Sequence, residues 1–170
     1  MKECSPLNIA RLCREVKTPV QVFNSGLPSI ALIKKQYGPD FTEAYIAIWI
    51  TNMVDYVNVG KKMGEQQILE TAMLILDEYW MLTLADINLV FQRAKKGHYG
   101  ELYDRLDGIV ILSWFKKYFD ERCETAENVS MREHEKLKTD GSERSYGKAK
   151  ELISEAANQY KKDQLLSLKK

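Results

Sequence analysis

The sequence predicts an all-α fold: a compact multi-helix core carrying a helical N-terminal arm and a charged helical C-terminal tail. Three observations lead there. Apolar residues recur at helical spacing through most of the chain. Cap residues, prolines and glycines mark the starts and stops of these stretches. No run alternates apolar and polar residues over a useful strand length, and no internal repeat or low-complexity tract occurs.

The elements follow in order. Ser5-Pro6 and Thr18-Pro19 each pair an N-cap residue with a proline suited to the first helical position. The first starts a short helix marked by Leu7, Ile9, Leu12 and Val16. After Asn24-Ser25-Gly26, a third short helix spans 28–37 and stops at Gly38, with Pro39 beyond. These short pieces read as an arm, residues 1–40. The core is assigned to 41–128. Its first helix, 41–59, is apolar nearly all round and is expected to be central. The next, 65–82, carries one stripe through Ile68, Ala72, Ile75, Tyr79 and Leu82, and a second through Leu69, Met73, Leu76 and Trp80. Thr83, with Asp86 three residues on, opens a helix over 84–96 that buries Leu84, Ile87, Val90, Phe91 and Ala94 and exposes Asn88, Gln92 and Lys95. Gly97 ends it. Asp107 caps a final core helix with a stripe through Leu112, Phe115, Phe119, Cys123 and Ala126. In the tail, 129–170, large apolar residues thin out and Asp140-Gly141-Ser142 reads as a break; from Met131 onward there are ten basic and seven acidic residues.

Bulk properties narrow the function. At 170 residues and net charge +1, the chain offers no whole-molecule attraction for nucleic acid, so any such binding needs a local patch. Cys4, Cys13 and Cys123 form no CxxC pair and read as free thiols of a reducing cytosol. The N-terminus lacks a signal-peptide stretch, and the longest apolar run, 44–50, falls far short of the roughly 20 residues that cross a bilayer. A cytoplasmic location is expected.

Catalytic chemistry finds little support. His98 and His134 stand outside any zinc-ligand spacing, and no phosphate-binding glycine loop or nucleophile elbow occurs. Glu101, Asp104 and Asp107 are spaced to share a helical face and to hold a divalent ion. Capping of the following helix and pairing with Arg105 account for them more simply, since hard cations usually recruit more oxygens. Cys123 lies on a predicted buried stripe and reads as an inert core thiol. No metal and no cofactor is expected, and the chain reads as non-enzymatic.

What remains is a cluster of basic and aromatic residues: Arg93, Lys95, Lys96, His98, Tyr99, Tyr103 and Arg105. Such residues meet phosphates and stack on bases, and they equally anchor protein interfaces. The blander reading makes them a helix C-terminus with dipole-complementing lysines and tyrosines packed on the core. A helix-turn-helix over 65–96, with Asn88, Gln92 and Lys95 facing a groove, is disfavoured by the short connection near Thr83.

Two stretches carry a resemblance. Lys61-Lys62-Met63 through Tyr79-Trp80-Met81-Leu82-Thr83-Leu84-Ala85-Asp86, and then Lys96-Gly97-His98-Tyr99-Gly100-Glu101-Leu102-Tyr103-Asp104-Arg105-Leu106-Asp107-Gly108, resemble an uncharacterised family of small all-helical proteins from bacterial mobile elements and phages. The likeness covers about residues 60–126. In its order of parts alone, the chain is also similar to phage helicase loaders. The resemblance implies a non-enzymatic accessory or adaptor of DNA replication that binds a replicative helicase or an initiation complex. The expected partner is a protein that meets residues 95–105 or the tail. The alternative is a nucleic-acid-binding regulator that uses the basic-aromatic patch.

Overall fold

The computed structural model describes residues 5–102 and 105–167. Among them are seven helices and no strand: α1 (Pro6–Leu12), α2 (Pro19–Phe23), α3 (Ile30–Tyr37), α4 (Pro39–Tyr56), α5 (Glu65–Glu78), α6 (Leu84–Lys95) and α7 (Gly108–Ser167). The chain divides into two units, Met1–Ala126 and Glu127–Lys170.

Local chemistry sets most helix ends. Ser5 and Ser29 accept the backbone N–H three residues on, and Gln21 closes a capping box with Thr18. Gly38, at φ 88°, takes a backbone conformation that side chains resist, and it separates α3 from α4. Asp107 accepts the Val110 N–H at 3.0 Å and so caps α7.

The N-terminal segment differs from the expected arm. Ile9, Cys13, Val22, Ile30 and Ile33 are buried in the same core as α4 to α7. The reason lies in the stretch after α5. The helix stops at Glu78, four residues short of the expected end, and residues 79–83 turn sideways. Their carbonyls then accept from the N-terminal segment, Ile30 N–H to Leu82 O and Ala31 N–H to Trp80 O, both at 2.8 Å, while Leu84 N–H donates to Pro28 O at 3.0 Å. A helix running on to Leu82 would have aimed these carbonyls along its own axis instead.

The core is built from Trp49, Ile50 and Met53 of α4, Ala72 and Ile75 of α5, Ile87 and Phe91 of α6, and Phe115 of α7. Trp49 stacks near-parallel on Phe91 with ring centroids 6.1 Å apart, and Phe91 meets Phe115 edge-on at 5.8 Å. Two expected faces are displaced. In α7 the buried side runs through Ile111, Trp114, Phe115 and Tyr118, whereas Leu112, Phe119, Cys123 and Ala126 are half-buried. In α4 the apolar circumference is open on one side, where Ile48 is exposed.

In the second unit, helix continues through residues 140–142, where a break was expected. A lone glycine costs a helix only about 1 kcal/mol relative to alanine and does not by itself end one.

Candidate functional site

The basic-aromatic cluster does not form one exposed surface. Arg93, on the last turn of α6, turns inward: its guanidinium forks onto the Glu121 carboxylate, reaches the Lys17 carbonyl at 3.4 Å and lies 5.7 Å from the Tyr118 ring centroid. Lys95 donates to Asn52 Oδ1 at 2.8 Å and sits over the Tyr56 ring, and burial lowers its pKa. Tyr99 stacks on Trp114 at 6.1 Å and packs against the core. Its hydroxyl oxygen is buried beside Arg93 without a hydrogen bond of ordinary geometry. Burial pushes its pKa up to about 12, against the opposing pull of the Arg93 charge. Lys96, His98 and Arg105 are exposed, and Tyr103 lies outside the described residues. Gly97, expected to end α6, and Gly100 take the left-handed region, at φ 74° and φ 105°, and His98 N–H closes the helix end on Arg93 O at 3.0 Å.

Arg93 is occupied because α6 and α7 share a buried polar cluster that the sequence reading missed. Asp86 was recognised only as a capping residue. It does close the capping box, accepting from Thr83 N–H at 2.7 Å and Thr83 Oγ1 at 2.8 Å. It is also fully buried, and its other oxygen accepts from the Tyr118 hydroxyl and from Arg122 Nε at 2.9 Å. Burial, and then the adjoining carboxylate, drive the Tyr118 pKa far up. Buried charge is tolerated when it is paired and hydrogen-bonded, as here. The cluster is a structural joint: every member already has its partner within the fold.

The other candidates resolve as well. Asn88, expected on an outer face, is buried, and Gln92 is half-buried, so a groove-facing surface on α6 is not available. No group of three or more metal-binding side chains occurs among the described residues. Asp107 is spent on the α7 cap and on Arg105 at 3.4 Å, and Asp104 lies outside the described residues. No described helix is long and apolar enough to cross a membrane.

A different surface stands out on α5. Its first apolar stripe is largely inside, with Ala72, Ile75 and Tyr79 buried and Ile68 half-buried. The second is split: Leu69 is 39% exposed, Met73 50% and, past the helix end, Trp80 51%, whereas Leu76 is buried. Leu69 and Met73 line a shallow groove of about 550 Å³ together with Gln66, Glu65, Glu70 and, from α4, Glu43. Three carboxylates and no cation border two apolar side chains one helical turn apart. The sequence shows the stripe at Leu69, Met73, Leu76 and Trp80, of which Leu76 is buried. Periodicity alone could not tell that no described residue of the first unit covers Leu69 and Met73.

The chain belongs to a family of unknown function (DUF6633), whose model matches residues 62–163, including α5, α6 and much of α7. No curated protein and no solved structure matches it. Membership agrees with the expectation of an uncharacterised family; its origin in phages or mobile elements and the likeness to helicase loaders gain no support from these comparisons.

Proposed function

We propose that this member of the family is a non-catalytic adaptor that holds a basic, amphipathic segment of a partner protein in the acidic groove of α5. The observation that carries the reading is the groove itself, where Leu69 and Met73 stay exposed between Glu43, Glu65 and Glu70. Apolar anchors at i and i+4 suit an amphipathic helix laid in a groove. Fully burying a Leu or Met side chain contributes roughly 1.5–3 kcal/mol. A single-sign rim selects the opposite charge and speeds encounter.

A synthetic amphipathic helix patterned with Leu and Arg tests this by fluorescence anisotropy, beside the same pattern with Glu for Arg. The Arg peptide binds, binding weakens as salt rises, and Met73→Lys weakens it by about tenfold or more, the effect of losing one anchor. Equal binding of the Glu peptide, or parent-like binding by Met73→Lys, overturns the reading.

The narrower role, delivery of a replicative helicase or organisation of an initiation complex, is proposed on the resemblance alone. A purified replicative helicase in the same assay tests it, and no binding overturns it. The nucleic-acid alternative is weakened because Arg93, Lys95 and Tyr99 are engaged within the fold.

A further inference from the structure

The groove on α5 suits a segment with apolar anchors and positive charge, and the chain itself carries one. Residues 160–170 read Tyr-Lys-Lys-Asp-Gln-Leu-Leu-Ser-Leu-Lys-Lys. Leu165, Leu166 and Leu168 stand between the pairs Lys161-Lys162 and Lys169-Lys170, and Asp163 is the one acidic side chain of the stretch. The chain is helical to Ser167, and the i, i+3 spacing of Leu165 and Leu168 is one by which helical neighbours share a face and anchor in a groove. The other lysine pairs of the chain adjoin residues that the core already holds: Ile33 beside Lys34-Lys35, Met63 beside Lys61-Lys62, Ala94 beside Lys95-Lys96 and Phe115 beside Lys116-Lys117. The pairs at 161–162 and 169–170 belong to the second unit.

The groove supplies the complementary half. Glu43, Glu65 and Glu70 form no ion pair among the described residues, and Glu70 accepts from the neutral Gln66 amide at 3.1 Å. Carboxylates gathered without a paired cation repel one another and attract opposite charge. Leu69 and Met73, one turn apart between them, match two leucines one turn apart between lysine pairs. Given the groove reading above, we propose that the partner is a second copy of this chain, whose residues 160–170 lie in the groove. Lys161, Lys162, Lys169 and Lys170 of that copy meet the three carboxylates, and its Leu165 and Leu168 cover Leu69 and Met73. Groove and segment are different surfaces, so the contact is heterologous and its two sides can be altered separately.

Sedimentation equilibrium of the full chain tests this. The average mass rises above 19.7 kDa as concentration increases and falls back as salt is added. Glu65→Lys/Glu70→Lys, at two exposed positions, stays at 19.7 kDa, and so does Lys161→Glu/Lys162→Glu/Lys169→Glu/Lys170→Glu, because groove and segment then carry like charge. An equimolar mixture of the two variants associates again, since the reversed groove meets the reversed segment. A synthetic peptide of residues 158–170 displaces the labelled Leu/Arg peptide from the parent. A parent that keeps the monomer mass at millimolar concentration overturns the proposal, and so does a 158–170 peptide that fails to compete; both are read on the parent, whatever the variants do. Association that survives in either variant overturns it too. Binding of the Leu/Arg peptide to a monomeric parent removes only the second copy and leaves the groove reading standing, whereas a parent that binds neither peptide removes both.

Discussion

Replacing Asp86 with alanine removes the acceptor of four hydrogen bonds at once, two from Thr83, one from Tyr118 and one from Arg122. The Tyr118 hydroxyl is then stranded in the core, and Arg122, whose side chain is only 17% exposed, loses its counter-charge. Removing one partner of a buried ion pair costs about 3–5 kcal/mol, because the other is left buried and unpaired. At about 2–4 °C per kcal/mol for a chain of this size, the melting temperature falls by about 6–20 °C. Thermal unfolding followed by tryptophan emission reads this, since Trp49 and Trp114 are both buried. Thr83→Ala, which removes the cap but leaves the ion pair, costs only about 1 kcal/mol. The order of the two variants is therefore part of the prediction. An Asp86→Ala protein that melts within about 2 °C of the parent, or no lower than Thr83→Ala, would refute the assignment of Asp86 as the joint between α6 and α7.

Three further outcomes follow from the same packing. Phe115→Ala, at a position with no exposed surface in contact with Phe91 and Tyr79, destabilises by about 3–5 kcal/mol in denaturant unfolding. Gly108→Ala places a methyl 2.5 Å from Thr71 Oγ1 and costs about 1–3 kcal/mol, and Thr71→Ala in the same chain recovers part of that loss. Burial first, and then the neighbouring Glu78, raise the Tyr79 pKa from 10.0 to about 12; Tyr99 is raised to a similar value. A tyrosine whose pKa is higher folded than unfolded contributes stability that is complete below pH 10 and is lost as pH rises through 12. An ultraviolet titration accordingly shows a late-ionising class of tyrosines, and Tyr79→Phe/Tyr99→Phe removes two members of it while Tyr118 remains.

Helix starts were legible because their causes are local: Ser5-Pro6, Thr18-Pro19, Thr83 with Asp86, and Asp107 each act within one turn. The apolar positions of α6, Leu84, Ile87, Val90, Phe91 and Ala94, were legible for the same reason. What the sequence concealed depends on partners far along the chain. The N-terminal helices join the core through carbonyls at 80 and 82, in the turn that follows the end of α5 at Glu78. The inward turn of Arg93 requires Glu121, and the burial of Asp86 requires Tyr118 and Arg122. The basic-aromatic cluster looked like a surface because helical spacing cannot show that a guanidinium has already met its carboxylate. The groove on α5 was hidden by the converse: Leu69 and Met73 are spaced like core residues, yet the described residues of the first unit offer them no cover.

The central claim is that this groove receives a basic amphipathic segment, and the methionine methyl signals locate the event directly. Met73 lies in the groove and is half exposed, whereas Met53 and Met63 are buried elsewhere. On titration with the Leu/Arg peptide, the Met73 methyl signal, assigned by its loss in Met73→Leu, shifts saturably while those of Met53 and Met63 hold still. A peptide that binds without moving Met73, or that does not bind at all, would contradict the account.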